Sequence, residues 1–101
     1  MPKLYEYLGI VVFFYSHEHE PIHVHAQYNE QESKAEFFIL DGKITEIRIS
    51  SVKGTPPLKG KQLQDFKDLL SHYSDEIIEK WIDYFVLHKH ITTEKITKRL
   101  Q

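Results

Sequence analysis

The chain has 101 residues, room for one compact domain and little else. Hydrophobic residues at 41% and aromatics at 13% suit a packed core and exclude wholesale disorder, while a net charge of -2 argues against a protein built around a broad phosphate-binding surface. With no cysteine there is neither a disulfide framework nor a thiolate zinc site, and no apolar run approaches the roughly 18 to 20 residues that span a bilayer.

The opening Met1-Pro2-Lys3-Leu4-Tyr5-Glu6-Tyr7 lacks the apolar stretch and small-residue cleavage site of a secretory signal, so a cytoplasmic protein is expected. Residues 8–15 are β-branched and aromatic without polar interruption, as in a strand buried on both faces. Pro21 ends a polar connection. Ile22-His23-Val24-His25-Ala26-Gln27-Tyr28 then alternates strictly and predicts a half-buried strand. Asn29-Glu30-Gln31 reads as a turn into a third strand from Ser33 to Leu40. Asp41-Gly42 is a strong hairpin signal, and Lys43 to Ser50 alternates again through Ile44, Ile47 and Ile49. The loops are too short for crossovers, which predicts an antiparallel meander.

Pro56-Pro57 breaks the strand pattern ahead of a first helix over 60–72, where Leu63, Phe66, Leu69, Leu70 and Tyr73 recur at helical spacing. Ser74 suits the N-cap of a second helix, with Asp75 and Glu76 in its first turn and Ile77, Ile78, Trp81, Ile82 and Phe85 as its apolar stripe. The expected fold is therefore α+β: a four-stranded, mainly antiparallel sheet (a meander) followed by two helices packed on one face. A single domain over 1–101 holds strands at about 8–50, helices at about 60–89 and a basic tail over 91–101. For that tail a short helix and an edge strand both stay open.

The chemically pointed stretch is Ser16-His17-Glu18-His19-Glu20-Pro21-Ile22-His23-Val24-His25. On a strand His23 and His25 share one face, about 6.5 to 7 Å apart along the chain, with Ile22, Val24 and Ala26 on the other. His17 and His19 approach from the preceding loop, stiffened by Pro21. Three imidazoles, His19, His23 and His25, are the candidate ligands of a divalent transition metal such as zinc, nickel or iron. His17 and Glu20 are additional candidate donors, and Glu18 or Glu20 can alternatively fix a histidine tautomer. Against this stand two plainer explanations: polar residues on a solvent-facing strand, or a metal-free hydrogen-bonded network. Acid–base catalysis by His23 and His25 is a further alternative, because histidine titrates near neutrality.

Other candidates are weaker. Trp81 and Tyr28 read as packing. His72 is placed near a helix C-terminus, where the dipole favours a cation. His88 and His90 flank the end of the second helix. Lys53, Lys59 and Lys61, and the tail residues Lys95, Lys98 and Arg99, read as solvated surface, with the tail the one route to nucleic acid. There is no Gly-rich phosphate loop, nucleophile elbow or paired catalytic carboxylate motif.

Met1-Pro2, the strand end Phe13-Phe14-Tyr15-Ser16 and, above all, His19-Glu20-Pro21-Ile22-His23-Val24-His25 resemble a small bacterial family catalogued as a domain of unknown function. Its signature is His-x-Pro-Pro-His-x-His, followed by strands and two helices with a tryptophan on the last. Trp81 after Asp75-Glu76-Ile77-Ile78-Glu79-Lys80 matches that feature, and the resemblance covers most of residues 1–85. His19, His23 and His25 occupy the signature positions; His17 falls outside them, and Ile22 stands where the second proline would be. The resemblance implies a component of a toxin–antitoxin pair working with a small partner protein encoded nearby.

Three functional readings follow. The first is a cytoplasmic module that binds a metal or ligand through its histidine-rich strand face. The second is a small hydrolase, such as a ribonuclease, with His23 and His25 as acid–base pair. The third is a metal-free protein-interaction domain. A partner protein or a second copy of the chain is the expected partner, with no membrane.

Overall fold

The structure, a computed structural model, describes residues 2–15 and 22–100. Among them six strands form one mixed sheet: β1 (Lys3–Tyr7), β2 (Ile10–Phe13), β3 (His23–Tyr28), β4 (Gln31–Leu40), β5 (Lys43–Ser51) and β6 (Glu94–Ile96). Their order across the sheet is β5-β4-β3-β2-β1-β6. All neighbours are antiparallel except β1 and β6, which run parallel. One long helix, α1 (Gly60–Trp81), lies over β1 and β3 and carries the chain from one edge of the sheet to the other. A π-helical stretch, Ile82–Val86, continues it.

The α+β class and the antiparallel β2–β5 meander match the sequence pattern, but the counts of strands and helices do not. β1 was not expected. A register shift between Lys3 and Tyr5 buries the consecutive residues Leu4 and Tyr5, so the alternation that announces a strand is broken there. A two-residue turn at Leu8-Gly9, both with positive φ, joins β1 to β2. Gly9 is needed there twice over, since a Cβ would also meet the Tyr28 ring at 3.0 Å. Asp41 and Gly42 likewise both take positive φ and close the β4–β5 hairpin as predicted.

The two expected helices are one. Ser74 is no cap but an interior residue of α1. The apolar stripe explains why: Phe66, Leu69, Leu70, Tyr73, Ile77 and Trp81 follow one another by one, three or four residues, so its phase never breaks at Ser74. His72 accordingly sits inside the helix, exposed, with Nδ1 2.9 Å from the Asp68 carbonyl, and not at a C-terminus.

The core lies between α1 and the helix-facing side of the sheet. It holds Leu4, Tyr5, Tyr7, Ile10, Val12, Phe14, Val24, Ala26, Ala35 and Phe37 from the strands, and Phe66, Leu69, Leu70, Ile77 and Trp81 from the helix. Tyr28 packs against it, as expected. The Trp81 Nε1–H finds no acceptor among the described residues. Tyr5 crosses the core to donate to the Glu76 carboxylate at 2.6 Å. Burial, then the Glu76 hydrogen bond and charge, push the Tyr5 phenol far above its ordinary value.

The tail proves to be an edge strand followed by a clasp. Ile96 is buried beside Tyr7, and the Leu100 N–H donates to the Tyr7 hydroxyl at 2.8 Å. Arg99 and Lys61 both reach the buried Asp65 carboxylate, at 3.5 and 2.8 Å. Lys53, Lys59, Lys95 and Lys98 remain exposed.

Two stability measurements check this architecture. Ser74→Pro should cost about 3 kcal/mol or more in urea denaturation, because it removes an interior helix hydrogen bond and clashes with the preceding turn; near-neutrality would restore the two-helix arrangement. Trp81→Ala should cost about 3 to 5 kcal/mol on cavity grounds. The raised Tyr5 phenol adds a pH signature. A group whose folded pKa lies above its unfolded value stabilises fully below the unfolded one, near 10, and loses that contribution as pH rises further. Stability should therefore fall above about pH 10. Tyr5→Phe should cost about 1.5 kcal/mol at neutral pH and flatten that alkaline fall, read by denaturation across the pH range.

Candidate functional site

β3 is paired on both sides, to β2 and to β4, and this fixes which way each side chain points. Val24 and Ala26 are fully buried in the core and Ile22 packs against it, so His23 and His25 face the side opposite α1, as the alternation requires. That face is not open to water. His23 is 7% exposed and His25 3%, which overturns the solvent-facing expectation. Among the described residues, Phe13, Tyr15 and Glu32 on the neighbouring strands and their ends contact His25.

Phe13 is directly opposite His25 across the β2–β3 pair, and the two rings stack with centroids 5.6 Å apart. Phe13 is itself buried, although it lies outside the helix-side core. Tyr15 meets the His25 ring edge-on at 4.3 Å. His23 meets it edge-on at 5.2 Å. On the other flank the turn after Tyr28 sets the β3–β4 register, placing Glu32 opposite Gln27 and diagonally beside His25. The Glu32 carboxylate is buried, and its Oε2 lies 3.2 Å from His25 Nδ1 and 3.1 Å from the Tyr15 hydroxyl.

The chemistry of this contact assigns the tautomer. An ionised carboxylate only accepts, so Tyr15 O–H and His25 Nδ1–H both donate to Glu32. Nε2 is then the nitrogen that carries the lone pair when the ring is neutral. A histidine held this way has a fixed ring orientation. Such a ring can bind a metal through Nε2 or accept a proton there.

His23 and His25 are thus brought together, on one face and in ring contact. His17, His19 and Glu20, with Glu18 and Pro21, lie outside the described residues. Among the described residues no group of three or more His, Asp or Glu side chains is gathered as a metal-binding cluster. His88 and His90 are exposed beyond the helix.

Sequence reading missed Glu32, Tyr15 and Phe13. The signal for Glu32 was available: with a turn at Asn29-Glu30, pairing Tyr28 with Gln31 puts Glu32 on the histidine face by parity alone. Tyr15 was expected inside a strand over 8–15, but Leu8-Gly9 is a turn and β2 ends at Phe13, and an uninterrupted apolar run carries no alternation to assign Tyr15 a face.

A family model described as "Domain of unknown function (DUF4160)" matches residues 9–82, from β2 through α1 and including both strand histidines. No curated protein and no solved structure matches the chain. Among the described residues no helix is long and apolar enough to cross a membrane.

Burial makes the site measurable by stability. His25→Ala removes a ring packed on Phe13 and Tyr15 and strips the buried Glu32 of its histidine donor, so it should cost about 2 to 3 kcal/mol in urea denaturation. Glu32→Gln, which keeps an acceptor for Tyr15, should cost less, about 1 kcal/mol. A His25→Ala variant as stable as the parent would mean that this face is wet.

Proposed function

The chain belongs to this DUF4160 family, and for it we propose a metal-binding module in which His23 and His25 are donors to one divalent transition metal. The observation that carries the reading is the Glu32–His25 contact: a buried carboxylate on Nδ1 presents Nε2 as a ligand, the arrangement usual around protein-bound zinc. The ring spacing supports it. Two imidazoles on one tetrahedral zinc, at about 2.0–2.1 Å from metal to nitrogen, have ring centres about 5 Å apart. Those of His23 and His25 are 5.2 Å apart. Further donors come from the preceding stretch, with His19 as third ligand and His17 or Glu20 as additional ones. Zinc, nickel and iron(II) all suit such a set.

The residues have divided roles in this reading. Glu32 fixes the His25 tautomer, Tyr15 fixes Glu32, and Phe13 holds the imidazole plane by stacking. The bound ion would supply a positive charge and Lewis acidity. In the same reading the module works beside a small partner protein of the toxin–antitoxin type, as the family resemblance implies. What supports a protein partner is the apolar end of the helix, where Ile82, Val86 and Leu87 are 40%, 56% and 53% exposed.

The Glu32–His25 contact also suits a general base, which keeps the acid–base reading of His23 and His25 as the alternative. Stoichiometric metal separates the two. Untagged protein titrated with zinc or nickel should take up about one ion per chain and release protons as it does so. Affinity should fall on acidification, because protonated imidazole cannot coordinate. His23→Ala or His25→Ala should abolish tight uptake, and Glu32→Gln should weaken it about 10- to 100-fold. No uptake in calorimetry, together with a melting temperature indifferent to chelator, would end the metal reading.

A further inference from the structure

The two edges of the sheet are unlike. β6 closes one with three residues, a length too short to template another strand. β5 closes the other with nine residues, and no proline interrupts it. Among the described residues its outward backbone groups have no neighbouring strand in the sheet. On its helix-facing side Ile44, Ile47 and Ile49 are only partly buried, and Ile47 and Ile49 border a shallow groove with Lys67, Leu70 and Ser71 of α1. On the opposite side Glu46 and Arg48 pair with each other at 3.0 Å, the guanidinium lying 4.7 Å above the Phe38 ring.

We propose that β5 is a homodimer edge, joined antiparallel to β5 of a second copy about a twofold axis at Ile47. The charges select both partner and register. In an antiparallel pair, residues directly opposite share a face and like charges repel. An axis at Glu46 sets glutamate against glutamate, and an axis at Arg48 sets arginine against arginine. The axis at Ile47 sets each Glu46 against the second copy's Arg48, twice over by symmetry. Those four charges then alternate in sign along the seam on one face. On the other face Ile47 meets its own copy, roofing the apolar stretch that α1 leaves half-covered. A register shift leaves Thr45 without an opposite residue on β4, so flush pairing is confined to the stretch around Ile47. The dimer is therefore modest and concentration-dependent.

Glu46 and Arg48 have side chains 50% and 57% exposed, so substituting them leaves the monomer fold intact, as circular dichroism can verify. Sedimentation of the untagged full chain from micromolar to millimolar concentration should show a monomer–dimer equilibrium. Glu46→Arg and Arg48→Glu should each raise the dimer Kd about tenfold, since each turns two attractive cross-strand pairs into repulsive ones. An equimolar mixture of the two variants should recover the dimer, each chain supplying the charge the other has lost. A monomer at every concentration would overturn the proposal. So would a dimer indifferent to both substitutions, or one weakened by them and not rescued by mixing, because each outcome places the contact elsewhere or nowhere.

Discussion

β3 is a central strand with neighbours on both sides, and the alternation of its side chains constrains everything else. Its even-numbered residues, Val24 and Ala26, are fully buried beneath α1. Moving the register by one residue would drive two imidazoles into that core and place the apolar residues beside the buried Glu32 carboxylate instead. An imidazole buried among aliphatic groups without a partner costs about 1–3 kcal/mol. Core packing therefore determines which way the histidines face, with no contribution from the site itself. The site inherits its geometry from the hydrophobic effect acting on the opposite side of the same strand.

Having been placed there, the histidines did not have to be buried, yet they are. A solvated histidine face would need only water. A buried one needs a hydrogen-bond partner for each polar atom, and Glu32 answers that need for Nδ1 at 3.2 Å. Glu32 raises the same question in turn, since its carboxylate loses hydration; Tyr15 and His25 both donate to one of its oxygens. A carboxylate with two donors in a dry setting is a rigid orienting group. Rigidity at His25 costs stability if any member is removed, which is why a polar cluster of this kind is better suited to holding a ligand than to solvating a surface.

How much was legible in the residues follows from the range of the interactions involved. The alternation of Ile22 to Tyr28 and the Asp41-Gly42 hairpin are local signals, and both hold. The second-helix start at Ser74 was also a local signal, but an unbroken apolar stripe from Phe66 to Trp81 packed against one sheet outweighs a capping preference of about 1 kcal/mol. β1 escaped because its bulge hides the period of two behind adjacent buried residues, Leu4 and Tyr5. For β6 the residues left a short helix and an edge strand equally open, for a different reason. Two of its three residues are exposed, and its existence rests on parallel pairing with β1, from the other end of the sequence. Glu32 lay between these cases: its face was deducible, but only after committing to a register.

The site and the free edge belong to the same face of the sheet. His23 is opposite Glu36 on β4, and Glu36 is opposite Arg48 on β5, so one row of side chains runs from the buried histidines to the open edge. At about 4.8 Å between strands the two ends of that row are about 10 Å apart. Burial falls steadily along it, from His23 through the half-buried Glu36 to the exposed Arg48. Electrostatic interactions change character over the same distance. At the His23 end charge is expensive unless paired; at the Arg48 end it is hydrated and screened, and adds little to stability. A polar group fixed in the dry interior has the rigidity that a ligand site requires, whereas a hydrated charge at a strand edge is free to act on register and partner choice. The sheet separates those two tasks by burial alone, with β4 as the boundary between them.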